Sequence, residues 1–88
     1  MYIEFKESFA KDLSKMDSAT LNKVKCVIEQ IESAISLNAV AQVKKLKGSA
    51  KNYYRIRIGD YRMGIKLEND KVIFIRFLHR KEMYRYFP

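Results

Sequence analysis

Cysteine and histidine are each present once in this 88-residue sequence, and glycine only three times. Each scarcity removes a class of function. Cys26 cannot close a disulfide within the chain and, with no partner cysteine or ligand cluster, cannot build a structural zinc site. The expected thiol is a reduced one in a cytoplasmic protein. With one histidine, no glycine-rich loop ahead of a helix, no paired acids in the basic half and no metal motif, no familiar catalytic set is present. Metal and cofactor are therefore expected to be absent. No apolar run approaches the roughly twenty residues of a membrane span. Glu4, Lys6 and Glu7 also interrupt any signal-peptide start. Internal repeats and low-complexity linkers are lacking too, so residues 1–88 are read as one small domain.

What the sequence does have is positive charge, unevenly spread. Lys and Arg number 18 against 10 Asp and Glu, a net of +8. Residues 1–43 carry five basic and six acidic side chains, whereas residues 44–88 carry thirteen and four, so the whole excess lies in the second half. A solubilising surface would spread its charge. Concentration in one half is instead the footprint of a polyanion-binding site.

The basic half is organised around NYYRIRIGDYRMGIK, Asn52 to Lys66. Two alternating runs meet at Gly59-Asp60, which reads as a two-residue β-hairpin turn of type I′ or II′. Such a link sets Ile58 opposite Tyr61, Arg57 opposite Arg62, Ile56 opposite Met63 and Tyr54 opposite Ile65. One sheet face is then apolar and the other carries Arg55, Arg57, Arg62 and Lys66. Opposed like charges destabilise a strand pair, and an anionic ligand would relieve the Arg57–Arg62 conflict.

Elsewhere, Met1 to Lys6 alternates as a strand, and Phe9, Leu13 and Met16 mark a short helix capped by Glu7 or Ser8. Asp17 or Ser18 caps a longer helix with a stripe of Leu21, Val24, Ile28, Ile31 and Ile35, reaching Asn38. Val27 and Ala34 widen the stripe, with Cys26 at its edge. Val40, Val43 and Leu46 suggest a helical turn before a basic loop with Lys44, Lys45, Lys47 and Lys51 and a Gly48-Ser49 turn. Val72 to Leu78 reads as a central strand. By parity Ile73, Ile75 and Phe77 face the helices, and Arg76 and Arg80 point the other way. His79 to Pro88 is a polar, aromatic tail with a helical turn. The expected class is α+β in the order β-α-α-β-β-β: a two-helix hairpin on one face of a small antiparallel sheet, with the other face largely open.

Arginine binds phosphate in bidentate fashion and aromatic rings stack on unpaired bases. Arg55, Arg57, Arg62, Lys66, Arg76 and Arg80, with Tyr53, Tyr84 and Tyr86, therefore suit single-stranded RNA, as do Lys47 and Lys51. For Arg76 the alternative is an ion pair with Glu68 or Asp70. Lys44 and Lys45 are read as an exposed rim, Tyr2, Tyr54 and Tyr61 as core, and Arg85 and Tyr86 as solvated tail.

The segment YRIRIGDYRMGI, the buried strand after it and the tail FLHRKEMYRYF resemble the RelE/ParE superfamily of bacterial and archaeal type II toxins, over nearly the whole chain. RelE-like members are ribosome-dependent endoribonucleases that cut mRNA in the A site; ParE-like members inhibit DNA gyrase by binding. Tyr84 after Arg80 favours the first branch. The resemblance implies that Arg62 contacts the phosphate at the cut, that Arg80 stabilises transition-state charge, and that Tyr84 stacks on a base and takes part in proton transfer. It also implies a cognate acidic antitoxin as partner, beside mRNA and the ribosome. Arg55 and Arg57 stand where the best-known RelE pattern has lysines. Arginine stays charged and is a poor general base, which leaves Tyr84, Lys47, Lys51, His79 or the ribosome for proton transfer. His79 has the apt unperturbed chemistry, but its strand parity sets it opposite Arg80 and favours a structural role.

Overall fold

The register read from Gly59-Asp60 is the register of the computed structural model. Ile58 pairs with Tyr61, Arg57 with Arg62, Ile56 with Met63 and Tyr54 with Ile65, and Gly59 takes φ +60°, the left-handed conformation the turn requires. The structure describes residues 1–47 and 52–88; the expected Gly48-Ser49 turn and Lys51 lie outside the described residues.

The elements run β1 (Tyr2–Phe5), α1 (Glu7–Leu13), α2 (Ser18–Ser33), a 3-10 turn (Leu37–Ala39), β2 (Val43–Lys45), β3 (Tyr53–Ile58), β4 (Tyr61–Glu68), β5 (Lys71–His79) and α3 (Arg80–Tyr86). They form a five-stranded sheet in the order β1-β5-β4-β3-β2. The α+β class holds, but the sheet is mixed: β1 runs parallel to β5, with Ile3 against Val72. A strand that begins the chain and is followed by two helices can return to the sheet in either direction, so alternation alone leaves its orientation open. Among the described residues no helix is long and apolar enough to cross a membrane.

One face of the sheet packs on the helices. Phe9 of α1 and Val24 and Ile31 of α2 close over Ile56, Ile58, Met63, Ile65, Val72, Phe74 and Phe77. Asp17 caps α2, its Oδ1 accepting from the Thr20 amide at 2.8 Å. The helix stops at Ser33, short of Asn38, because Ala34 turns extended. Ile35 therefore leaves the buried stripe and is 97% exposed. The helical turn expected around Val43 is also corrected: Val43–Lys45 is a strand paired with Tyr54–Ile56, and the turn precedes it at Leu37–Ala39.

The expected parity of β5 is corrected by a bulge. Gly64 pairs with Arg76 but Ile65 pairs with Phe74, so Ile75 is an extra residue. Val72 and Phe74 face the helices before the bulge and Phe77 after it, while Ile75 and Leu78 join a second cluster on the opposite side with Met83 and Phe87 of the tail. That opposite face is therefore only half open. Gly64 makes the contact possible: a Cβ there would lie 2.7 Å from the Phe87 ring, so the ring rests directly on the strand backbone.

β1 covers β5 only as far as Phe74, and α1 takes over the vacated edge. The Lys6 amide donates to the Phe74 carbonyl at 2.9 Å and the Ser8 hydroxyl to the Ile75 carbonyl at 2.6 Å. Asp12, 8% exposed, accepts from the Phe77 amide at 2.9 Å and from Arg76 Nε at 2.8 Å, with Arg76 Nη2 on its other oxygen at 3.1 Å. One carboxylate thus satisfies a strand amide and a guanidinium together. Asp12→Ala would leave both without a partner and should cost about 2–4 kcal/mol, measured by chemical denaturation. Asp12→Ala combined with Arg76→Met should recover part of the loss, whereas equal instability of single and double variants would contradict this role.

Candidate functional site

Strand alternation puts Tyr53, Arg55 and Arg57 of β3 and Arg62, Gly64 and Lys66 of β4 on the face away from α1 and α2. On that face α3 is seated by Met83 and Phe87, which turn inward against Leu78. Tyr84, the next residue along α3, is left pointing outward and 80% exposed.

The result is a basic cleft in two connected parts. One, of about 400 Å³, is lined by Gln42, Val43, Lys44, Arg55, Arg57, Arg62 and Tyr84. The other, of about 390 Å³, is lined by Arg55, Arg62, Arg80, Lys81 and Tyr84. Arg55, Arg62 and Tyr84 are common to both and form the centre. Lys44, Arg55, Arg57, Arg62, Arg80 and Lys81 bring six cations and the linings hold no carboxylate. None of the six takes part in an ion pair among the described residues. A wall of unpaired cations around a concave surface raises the local concentration of anions and favours phosphate.

Individual groups are set by local structure. Arg62 is tied back onto the hairpin turn, its Nη1 donating to the carbonyls of Gly59 at 3.0 Å and Tyr61 at 2.9 Å. The Arg80 amide donates to the Asp60 carbonyl at 2.8 Å, which locks the start of α3 to the same turn. The Arg55 guanidinium lies over the Tyr84 ring, 4.9 Å from its centroid. The Tyr84 phenol is held below its ordinary value, with Arg55 the main cause as hydrogen-bond partner and then as charge, and Lys44 and Arg62 adding to it. A phenol so placed gives up its proton more readily.

Of the residues read from the sequence, Arg55, Arg57, Arg62, Arg80 and Tyr84 converge. Lys47 lies beyond β2 at the border of an adjoining recess that shares Lys44, Arg55 and Tyr84. Arg76 is not in the cleft; it is held by Asp12, a partner other than the expected Glu68 or Asp70. His79 also lies apart. Its Nδ1 accepts from the Lys81 amide at 3.2 Å as the cap of α3, and its ring packs edge-on against Tyr61 at 5.6 Å. Two cleft lysines are missed by sequence reasoning. Lys44 looks like exposed rim until β2 sets it directly opposite Arg55, and Lys81 gains its position only when α3 folds back. For Lys44 the available signal is the alternation Val43, Lys44, Lys45, too short to mark a strand alone.

The family model described as "ParE toxin of type II toxin-antitoxin system, parDE" matches residues 3–84. Toxin RelE3 of Methanocaldococcus jannaschii is 44% identical over 89 aligned residues, covering 100% of both chains. A chain in the crystal structure of the RelB-RelE antitoxin-toxin complex from Methanococcus jannaschii superposes with a TM-score of 0.83 at 44% identity, over 97% of this chain and 99% of that one. YafQ of E. coli strain BL21(DE3) shares the fold at 23% identity, with a TM-score of 0.67 over 93% of this chain and 96% of its own.

The Arg57–Arg62 pair makes a prediction independent of any activity. Arg57→Gln should stabilise the protein by up to about 1 kcal/mol at low ionic strength by removing an opposed like charge, and the gain should shrink as salt screens the pair. Denaturation midpoints at two salt concentrations check this; destabilisation at low salt would contradict it.

Proposed function

This chain belongs to the RelE/ParE superfamily of type II toxin-antitoxin toxins, and from that premise we propose that it is a RelE-like, ribosome-dependent endoribonuclease that cuts mRNA in the A site and so inhibits translation. The observation that carries this reading is the convergence of Arg62, Arg80 and Tyr84 in one cleft lined by cations and free of carboxylates.

The chemistry is attack of a ribose 2′-oxygen on the neighbouring phosphorus. The 2′-hydroxyl proton passes to a base, the bond from phosphorus to the 5′-oxygen breaks, and that oxygen takes up a proton as it leaves. The products are a 2′,3′-cyclic phosphate and a 5′-hydroxyl. Catalysis needs in-line geometry, stabilisation of the charge growing on the phosphoryl oxygens, and proton transfer. Arg62, braced on the turn carbonyls, and Arg80 supply the charge. Arg55 and Arg57 bind phosphate beside them. Tyr84, acting as phenolate, takes the proton, since it stands between Arg55 and Arg62 at the centre of the cleft, whereas His79 is engaged in capping α3 outside it.

A ParE-like reading, in which the same face binds DNA gyrase without nuclease chemistry, is favoured by the description of the matching family model. Tyr84 beside Arg55, Arg62 and Arg80 supports the nuclease instead, since it sets a proton-bearing group among the arginines that would hold phosphate.

The RelB-RelE complex of the archaeal relative supports a cognate antitoxin as partner here. An acidic segment with apolar anchors fits a recess of about 330 Å³ where Leu46, Met83, Phe87 and Pro88 lie among Lys44, Lys45 and Lys47.

Primer extension on mRNA translated in vitro tests the function. The wild-type protein should cut within the A-site codon, and Arg62→Ala and Arg80→Ala should each slow cutting by roughly 100-fold or more. Intact mRNA alongside inhibited supercoiling would move the assignment to gyrase, and full-rate cutting by both variants would overturn the roles given to the two arginines.

A further inference from the structure

The face of Tyr84 turned toward the sheet is occupied by one side chain, and the other is open. Arg55 lies over the ring at 4.9 Å from the centroid, yet Tyr84 remains 80% exposed, so the guanidinium is its principal contact on that side. Arg55 is itself fixed from below. It stands in register between Lys44 of β2 and Gly64 of β4, and residue 64, lacking a side chain, leaves the Phe87 ring to wall the space on that flank. The backbone of α3 is held independently through Met83 and Phe87. The ring orientation is therefore left to Arg55.

We propose that Arg55 is the positioning residue for Tyr84: its guanidinium holds one ring face, fixes the phenol over the centre of the cleft and leaves the opposite face open. This rests on the nuclease reading, and it adds to the phosphate contact of Arg55 a part played through Tyr84. A guanidinium is well suited to it, being planar, permanently charged and able to stack while keeping its donors free. An ammonium in the same place would offer charge without the flat surface.

The charged side chains that line the recesses around Tyr84 are Lys44, Lys45 and Lys47 from the β2 side, Arg55 and Arg57 from β3, Arg62 from β4, and Arg80 and Lys81 from α3 itself. All are cations; Arg55 is the foremost cause of the lowered Tyr84 pKa, and Lys44 and Arg62 add to it. The sign follows: removing Arg55 raises the Tyr84 pKa toward that of a free tyrosine, and if phenolate is the base, the rising limb of the pH–rate profile moves to higher pH.

The experiment has two readouts on the full chain. In the first, the protein labelled with carbon-13 at tyrosine Cζ is titrated by NMR, with Tyr84→Phe identifying the resonance. Wild-type Tyr84 should titrate below a free tyrosine, Arg55→Gln should raise its midpoint, and Arg55→Lys should raise it less. In the second, cleavage by Arg55→Gln should fall by about 10-fold or more at neutral pH and recover as the pH rises, while Arg55→Lys stays closer to wild type. Thermal melting confirms that both variants are folded. An unmoved Tyr84 titration in Arg55→Gln, or a rate loss that is the same at every pH and appears only in KM, would make Arg55 a phosphate contact alone and overturn the proposal. Absence of cleavage by the wild-type protein would remove the nuclease reading instead, and the titration would still decide whether Arg55 governs the phenol.

Discussion

The Phe87 ring lies where any side chain on residue 64 would have to be, 2.7 Å from the position of its Cβ. That close approach of a ring to strand backbone seats α3 on the arginine-bearing face of the sheet, and most of the cleft depends on it. Met83 and Phe87 fall on the inward side of the helix and Tyr84 on the outward side, so one seating both buries the anchors and presents the phenol beside Arg55 and Arg62. The bulge at Ile75 belongs to the same arrangement. By adding one residue to β5 it lets Phe74 and Phe77 both face α1 and α2 while Leu78 turns to meet α3.

The two faces of the sheet carry different physics. Toward α1 and α2 the strands present aliphatic and aromatic side chains whose burial stabilises the fold. On the other face the same strands gather cations that repel one another and have no acidic partners in the cleft. A fold that tolerates such a face balances it elsewhere: Asp12 holds Arg76 away from the cluster, Lys66 pairs with Glu68 and Lys71 with Glu4.

How much of this was legible in the sequence differs from element to element for physical reasons. The β3–β4 register was fully readable because period-two alternation and a two-residue glycine turn leave one pairing. The meeting of Arg62, Arg80 and Tyr84 in one cleft was readable from the resemblance of their segments. The bulge was hidden, since Ile75 is one apolar residue within an apolar run and nothing in the pattern marks it as extra. The three-residue strand Val43–Lys45 was hidden because it exists only through its pairing with β3. Arg76 was misassigned because its partner lies 64 residues away, on a helix chosen as neighbour by the parallel β1–β5 crossover. Lys44 and Lys81 joined the cleft through those same tertiary choices.

RNA breakage by transesterification is the central step of the proposed function. End-group analysis of mRNA recovered from a translating extract tests it most directly. A 2′,3′-cyclic phosphate on the upstream fragment and a 5′-hydroxyl on the downstream one are expected, with both lost in Arg62→Ala. A 3′-hydroxyl paired with a 5′-phosphate, or mRNA left whole while translation proceeds, would contradict it.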